Sequence, residues 1–149
     1  MILVDADACP VKDEIYKVAL RYQVPVKLVC NAYMRIPQHD LISIEVVSDG
    51  FDAADDRIVE LTTGEHIIVT ADILLADRCL KAGAAAVLAQ NGKPFTEDSI
   101  GSAIATRAVM ADLRAGGDQI GGPPPFQKKD RSQFLSTLDE TVTRVMRAS

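Results

Sequence analysis

Several residue types are scarce in this sequence, and their scarcity excludes several kinds of site. It contains no tryptophan, two histidines and three cysteines. Cys9, Cys30 and Cys79 are far apart and form no Cys-x-x-Cys pair, so neither a disulfide framework nor a zinc site is expected. His39 and His66 are isolated and lack the spacing of metal ligands. We therefore expect a protein with reduced thiols in the cytoplasm.

Long apolar runs and an excess of basic residues are also missing. No apolar stretch approaches the roughly 18 residues of a membrane span, and the chain opens on MILVDAD without a secretory leader, so no membrane association is expected. The net charge is −5, so any nucleic acid has to be held by a local cationic cluster or by metal ions. A length of 149 residues fits a single domain.

Short apolar segments alternate with helical patterns along the chain. Strands are predicted over 1–4, 24–30, 42–47, 66–70 and 85–88, and helices over 11–22, 52–62, 72–82, 96–114 and 132–147. Strands that alternate with helices form βαβ units, so the pattern predicts an α/β fold with a mainly parallel sheet of about five strands. Gly83 is expected to end the third helix.

Aspartates follow three of these strands at the point where each strand ends. They are Asp5 and Asp7 after the first strand, Asp49 and Asp52 after the third with Asp55 and Asp56 in the next helix, and Asp72 after the fourth with Asp77 further on. The carboxyl ends of parallel strands share one edge, where ligands bind. Carboxylates gathered there repel one another unless a hard cation such as Mg²⁺ or Mn²⁺ lies between them. The pattern therefore predicts a site for one or two divalent cations.

Each acid also has a purely structural interpretation. Asp52 and Asp72 are placed to cap helix N-termini, and Asp49 in Ser-Asp-Gly is typical of a turn. Asp56 fits a solvated surface position. Asp5 is harder to explain in this way, since a carboxylate that ends a buried strand needs a partner. The coincidence of three groups at one edge, rather than any single acid, favours the cation site.

Basic and polar residues near the acids are candidates for contacting a phosphate group. They are Lys12, Asn31, Arg57, Arg107 and Arg131. Each of them also fits an ordinary charged surface or a turn. Cys9 has no neighbouring base that would make it a nucleophile. The sequence contains neither a glycine-rich phosphate-binding loop nor a Ser-His-Asp order.

Longer motifs carry a resemblance to a known family. The chain resembles the YaiI/YqxD family of uncharacterised bacterial proteins in Asp-Ala-Asp-Ala-Cys-Pro-Val at 5–11, Phe-Asp-Ala-Ala-Asp-Asp at 51–56, Val-Thr-Ala-Asp-Ile-Leu-Leu-Ala at 69–76, Gly-Pro-Pro-Pro-Phe at 122–126 and Lys-Asp-Arg at 129–131. The match covers essentially the whole chain in order. Leu74 stands where proline is expected in that family, a departure that leaves the acids untouched.

The YaiI/YqxD family in turn resembles the PIN-like nuclease superfamily. This resemblance implies one α/β/α sandwich domain with a central parallel sheet, which cleaves RNA phosphodiester bonds with Mg²⁺ or Mn²⁺. The implied acids are Asp5, either Asp55 or Asp56, Asp72 and Asp77, with Asp7 and Asp52 as additions specific to the family. Single-stranded RNA is then the expected partner, and assembly into a homo-oligomer is left open.

Three other functions stay open on the sequence alone. Asp5-Ala6-Asp7 is the opening signature of haloacid-dehalogenase-like phosphatases, in which the first aspartate is a covalent nucleophile, although Ala8-Cys9 departs from what usually follows it. Acids after strands one and three, with Thr70 and Lys93, are typical of phosphoacceptor receiver modules. The third is a PIN-like domain that binds RNA or a protein without catalysis.

Overall fold

The computed structural model describes residues 1–7, 9–48, 50, 53–102 and 126–148. Its five strands are β1 (Ile2–Asp5), β2 (Val26–Cys30), β3 (Ile42–Val46), β4 (Ile67–Val69) and β5 (Ala86–Leu88). They form one sheet in the order β3-β2-β1-β4-β5, and every neighbouring pair is parallel. The expected parallel sheet of about five strands is confirmed.

Helices cover both faces of this sheet. They are α1 (Lys12–Tyr22), α2 (Ala53–Leu61), α3 (Ile73–Lys81), α4, which is described over 97–102, and α5 (Lys128–Ala148). The first and last pack on one face, and α2, α3 and α4 pack on the other. The architecture is therefore a three-layer α/β/α sandwich. No helix in the described ranges is long and apolar enough to cross a membrane.

Strand β1 divides its side chains between the two layers. Ile2 and Val4 are fully buried with α1 and α5, whereas Leu3 is fully buried with α2 and α3. Since side chains alternate along a strand, Asp5 points to the same face as Leu3. An apolar strand that is buried on both sides thus ends in a carboxylate on the α2–α3 side.

The strand order creates a crevice at the carboxyl ends of β1 and β4. From β1 the chain runs through α1 to β2 and β3 on one side, and then crosses through α2 to β4 on the other. Ligands of open α/β sheets bind where the strand order reverses in this way. In receiver-like domains the third strand lies beside the first. Here β3 lies beyond β2, which argues against the receiver alternative.

Predicted and observed element ends agree within one or two residues, except at the start of α5. The predicted end of the fourth helix, at residue 114, lies outside the described residues. Helix α5 starts at Lys128 rather than at the predicted Ser132. Asp130 Oδ2 accepts a hydrogen bond of 2.9 Å from the backbone N–H of Gln127, which satisfies a free donor at the helix start. The first turn is charged and has no apolar periodicity, so its pattern does not predict a helix. Gly83, with φ of 93°, follows α3 as predicted.

Candidate functional site

Thr70 connects the ends of β1 and β4 inside the crevice. Its hydroxyl donates a hydrogen bond of 2.9 Å to Asp5 Oδ2 and accepts one of 3.0 Å from the backbone N–H of Asp72. Thr70 is fully buried and directly follows β4. It therefore fixes the position of the Asp5 carboxylate relative to the start of α3. In the sequence Thr70 was a candidate only for the receiver alternative, although a hydroxyl group at the end of an apolar strand itself indicates a functional position.

Burial is the main reason why Asp5 ionises less readily than an ordinary aspartate. The pKa of Asp5 is raised from 3.8 to about 6, and burial is the largest cause. The hydrogen bond from Thr70 acts in the opposite direction, because it favours the ionised form. Further increases in this pKa come from the carboxylates of Asp55, Asp7 and Asp72. Besides Asp7, acids from two other chain segments, α2 and the start of α3, thus lie close enough to Asp5 to repel it.

Three of these carboxylates use one oxygen for hydrogen bonds within the protein. Asp5 accepts through Oδ2 from Thr70, and Asp7 accepts through Oδ2 from the backbone N–H of Asn31 at 2.9 Å. Asp72 Oδ1 caps α3 by accepting from two backbone N–H groups of its first turn, at 2.9 and 3.4 Å. Within the described residues, the second oxygen of each carboxylate receives no hydrogen bond. These oxygens are available to a cation.

The capping role of Asp72 can be separated from its charge by two substitutions. Asp72→Ala removes the cap and is expected to lower the free energy of unfolding by about 1 kcal/mol. Asp72→Asn keeps an oxygen that accepts the same hydrogen bonds, so we expect stability close to that of the wild type. Urea unfolding followed by circular dichroism measures both. Equal destabilisation of the two variants would show that the charge, and not the cap, stabilises α3.

The two adjacent acids of α2 have different surroundings. Asp55 is partly buried and is the neighbouring carboxylate with the largest effect on the pKa of Asp5. Asp56 is exposed and forms an ion pair of 2.8 Å with Arg78 of α3. Asp55 is therefore the acid of this pair that acts on the crevice.

Asp77 and Arg57 are held in ion pairs. Asp77 pairs with Lys81 of the same helix at 2.9 Å. Arg57 Nε donates to Glu45 Oε2 of β3 at 2.5 Å, and its Nη1 donates to Glu60 at 3.3 Å. These contacts hold Arg57 against β3, two strands away from Asp5.

Arg131 joins α5 to the loop between β1 and α1. Its Nη1 donates to the backbone carbonyl of Pro10 and lies 3.6 Å from Glu14 Oε1. Its guanidinium carbon lies 5.2 Å from the centre of the Phe126 ring. Arg131 therefore holds this loop in place beside the acids.

Lys12 and Asn31 lie near the ends of β1 and β2. Lys12 Nζ contacts Met34 Sδ at 3.6 Å, and no carboxylate of the described residues lies within ion-pair distance of it. The backbone of Asn31 holds Asp7, as described above. The remaining candidates from the sequence lie outside the described residues: Asp49, Asp52 and Arg107.

The donor chemistry of this edge suits a hard divalent cation. Carboxylate oxygens are ligands that Mg²⁺ and Mn²⁺ prefer, and Asp5, Asp7 and Asp72 each present one without a protein donor. Among the described residues, no three acidic, histidine or cysteine side chains are already gathered as a metal-binding group.

Comparisons with known proteins identify the family of this chain. A family model described as "Uncharacterized BCR, YaiI/YqxD family" matches residues 3–144. A UPF0178 protein of Sphingopyxis alaskensis is 66% identical over 99% of this chain and 96% of its own length. UPF0178 proteins of Nitrobacter winogradskyi and Rhodopseudomonas palustris are 56% identical, over 93% and 92% of their own lengths. No solved structure matches significantly. The chain therefore belongs to the YaiI/YqxD family of uncharacterised bacterial proteins.

Proposed function

We propose that this protein is a divalent-metal-dependent ribonuclease that hydrolyses phosphodiester bonds of single-stranded RNA in the crevice between β1 and β4. The observation that supports the proposal most strongly is the state of Asp5, a largely buried carboxylate that three other carboxylates repel. Such an arrangement is unfavourable on its own, and a bound cation would relieve it. The resemblance of the family to PIN-like nucleases supports the same class of reaction.

Asp5, Asp55 and Asp72 are the residues that would hold Mg²⁺ or Mn²⁺, with Asp7 beside them. One or two bound ions would lower the pKa of a water molecule and offset negative charge at the scissile phosphate. The protein itself supplies the positions of these ligands. Thr70 holds Asp5, and the first turn of α3 holds Asp72.

Lys12 is the cation that we assign to the RNA phosphate. It lies at the start of α1, and no carboxylate of the described residues neutralises it. Arg57 and Arg131 contribute less to this role, because Glu45 holds the first and the Pro10 carbonyl holds the second. A lysine ammonium can bind phosphate as a point charge.

Adjacent substitutions in α2 test the proposed reaction. Purified wild-type protein is expected to cleave a labelled single-stranded RNA in the presence of Mn²⁺. Asp55→Asn is expected to lower the cleavage rate on the order of 100-fold, because it removes a ligand from the crevice. Asp56→Asn should stay within about twofold of the wild type, because Asp56 is exposed and its side chain pairs with Arg78. Product formation on a denaturing gel measures all three.

Chelation by EDTA is the control for metal dependence and should stop the cleavage. Absence of RNA cleavage by the wild type, or rates that Asp55→Asn leaves unchanged, would contradict the proposal. Hydrolysis of an aryl phosphate monoester in place of RNA would instead favour the phosphatase alternative.

A further inference from the structure

The segment between β2 and β3 carries an exposed aromatic residue and an exposed cation. Residues 31–41 connect two parallel strands without a helix. Met34 and Ile36 are partly buried against the core of the α1–α5 layer, while Tyr33 and Arg35 are exposed. Tyr33 has 73% of its surface exposed, although its ring is largely apolar. Partly buried and exposed residues thus alternate along the segment. Met34 and Ile36 anchor it to the core, and Tyr33 and Arg35 point outward.

Tyr33 and Arg35 line an open cavity of about 570 Å³ beside the edge strand β3. Ile42 and Ile44 of this strand give the cavity an apolar wall. His39 also lines it, and the backbone N–H of Leu41 donates to His39 Nδ1 at 3.1 Å. Neutral His39 therefore carries its proton on Nε2, which can donate to a ligand.

The charge of this cavity differs from that of the protein as a whole. None of its lining residues is acidic, although the net charge of the chain is −5. No carboxylate of the described residues lies within ion-pair distance of Arg35. An aromatic face, an apolar wall and a cation without a carboxylate partner match the base and phosphate of a nucleotide.

We propose that this cavity binds one nucleotide of a single-stranded RNA beside the acidic crevice, an inference that rests on the proposed function. Tyr33 stacks on the base, and Arg35 binds the adjoining phosphate. Asn31, whose backbone holds Asp7, precedes Tyr33 by two residues, a reach of about 7 Å at most. The Tyr33 end of the cavity therefore lies near Asp7, within reach of a strand that is bound at the acids. Since every base has an aromatic face, this contact does not select a sequence.

Binding of a fluorescently labelled uridine octanucleotide to the full chain tests this proposal. Anisotropy is measured in EDTA, so that the proposed metal-dependent cleavage does not interfere. Tyr33→Ala and Arg35→Ala are each expected to weaken binding about 10-fold. Tyr33→Phe keeps the ring and should bind like the wild type. Lys17→Ala is the control, since it removes an exposed cation of α1 outside the cavity.

Each outcome supports or overturns the proposed cavity. Affinity unchanged by both Tyr33→Ala and Arg35→Ala would overturn it, as would absence of binding by the wild type. Weakened binding in the cavity variants, with no Mn²⁺-dependent cleavage by the wild type, would support RNA binding and refute the ribonuclease.

Discussion

Gly92→Ala is expected to lower the free energy of unfolding by about 3 kcal/mol. Gly92 has φ of 88°, a conformation that residues with a Cβ rarely adopt. A Cβ at this position would lie 2.9 Å from backbone atoms of Gln133 and Phe134. Both belong to α5, whose Phe134 side chain is fully buried, so the helix would have to move to relieve the contact.

Gly83→Ala is the matched control for this substitution. Gly83 has φ of 93°, but a Cβ there meets nothing within 4 Å. Gly83→Ala should therefore lower the free energy of unfolding by about 1–2 kcal/mol, because it adds only the backbone strain of a positive φ. Urea unfolding midpoints compare the two variants. Equal midpoints would contradict the close approach of the turn after β5 to α5.

Asp5→Asn is expected to stabilise the metal-free protein at neutral pH and to remove its Mn²⁺-dependent cleavage of RNA. The pKa of Asp5 in the folded protein is about 6, above the ordinary 3.8. Between these values the folded protein keeps a proton that the unfolded chain releases, so stability is lost as the pH rises through this range and is not regained above it. Asparagine carries no charge and keeps an oxygen that accepts from Thr70.

We expect Asp5→Asn to gain on the order of 1 kcal/mol at pH 7.5, after allowance for solvent that still reaches the carboxylate. For a chain of this size that gain is about 2–4 °C in melting temperature. The gain should shrink toward pH 4, and added Mn²⁺ should stabilise the wild type more than the variant. Asp40→Asn, at an exposed position in the β2–β3 connection, is the control and should change little. A melting temperature of Asp5→Asn below the wild type in EDTA at pH 7.5 would contradict the repulsion at Asp5.

Strands β1 and β4 were predictable because each is a short apolar run that ends at or just before a polar residue. Their ends place Asp5 and Asp72 at one edge of the predicted sheet. The order of the strands was not predictable in the same way. Residues 31–41 connect β2 to β3, and their sequence does not specify on which side of the sheet the chain continues. The sequence therefore leaves open whether β3 lies beside β1 or beyond β2.

The ion-pair partners and charged neighbours of the acidic and basic side chains could not be predicted from the sequence. Arg57 lies next to the acids in the chain, yet the packing of α2 on the sheet brings it to Glu45 of β3. Asp55 and Asp56 are adjacent in the chain, and the orientation of α2 decides that Asp55 acts on Asp5. These contacts depend on which face of each helix packs on the sheet, and that packing is set by the folded structure as a whole.

A crystal structure determined with Mn²⁺ at pH 7.5 tests the cation site most directly. Anomalous scattering identifies the metal independently of the protein atoms. The predicted result is a peak in the crevice between β1 and β4, bound by Asp5 together with Asp55 or Asp72. A crevice without metal at saturating Mn²⁺, in which Asp5 contacts only Thr70 and Asp72 only caps α3, would contradict the site and the ribonuclease built on it.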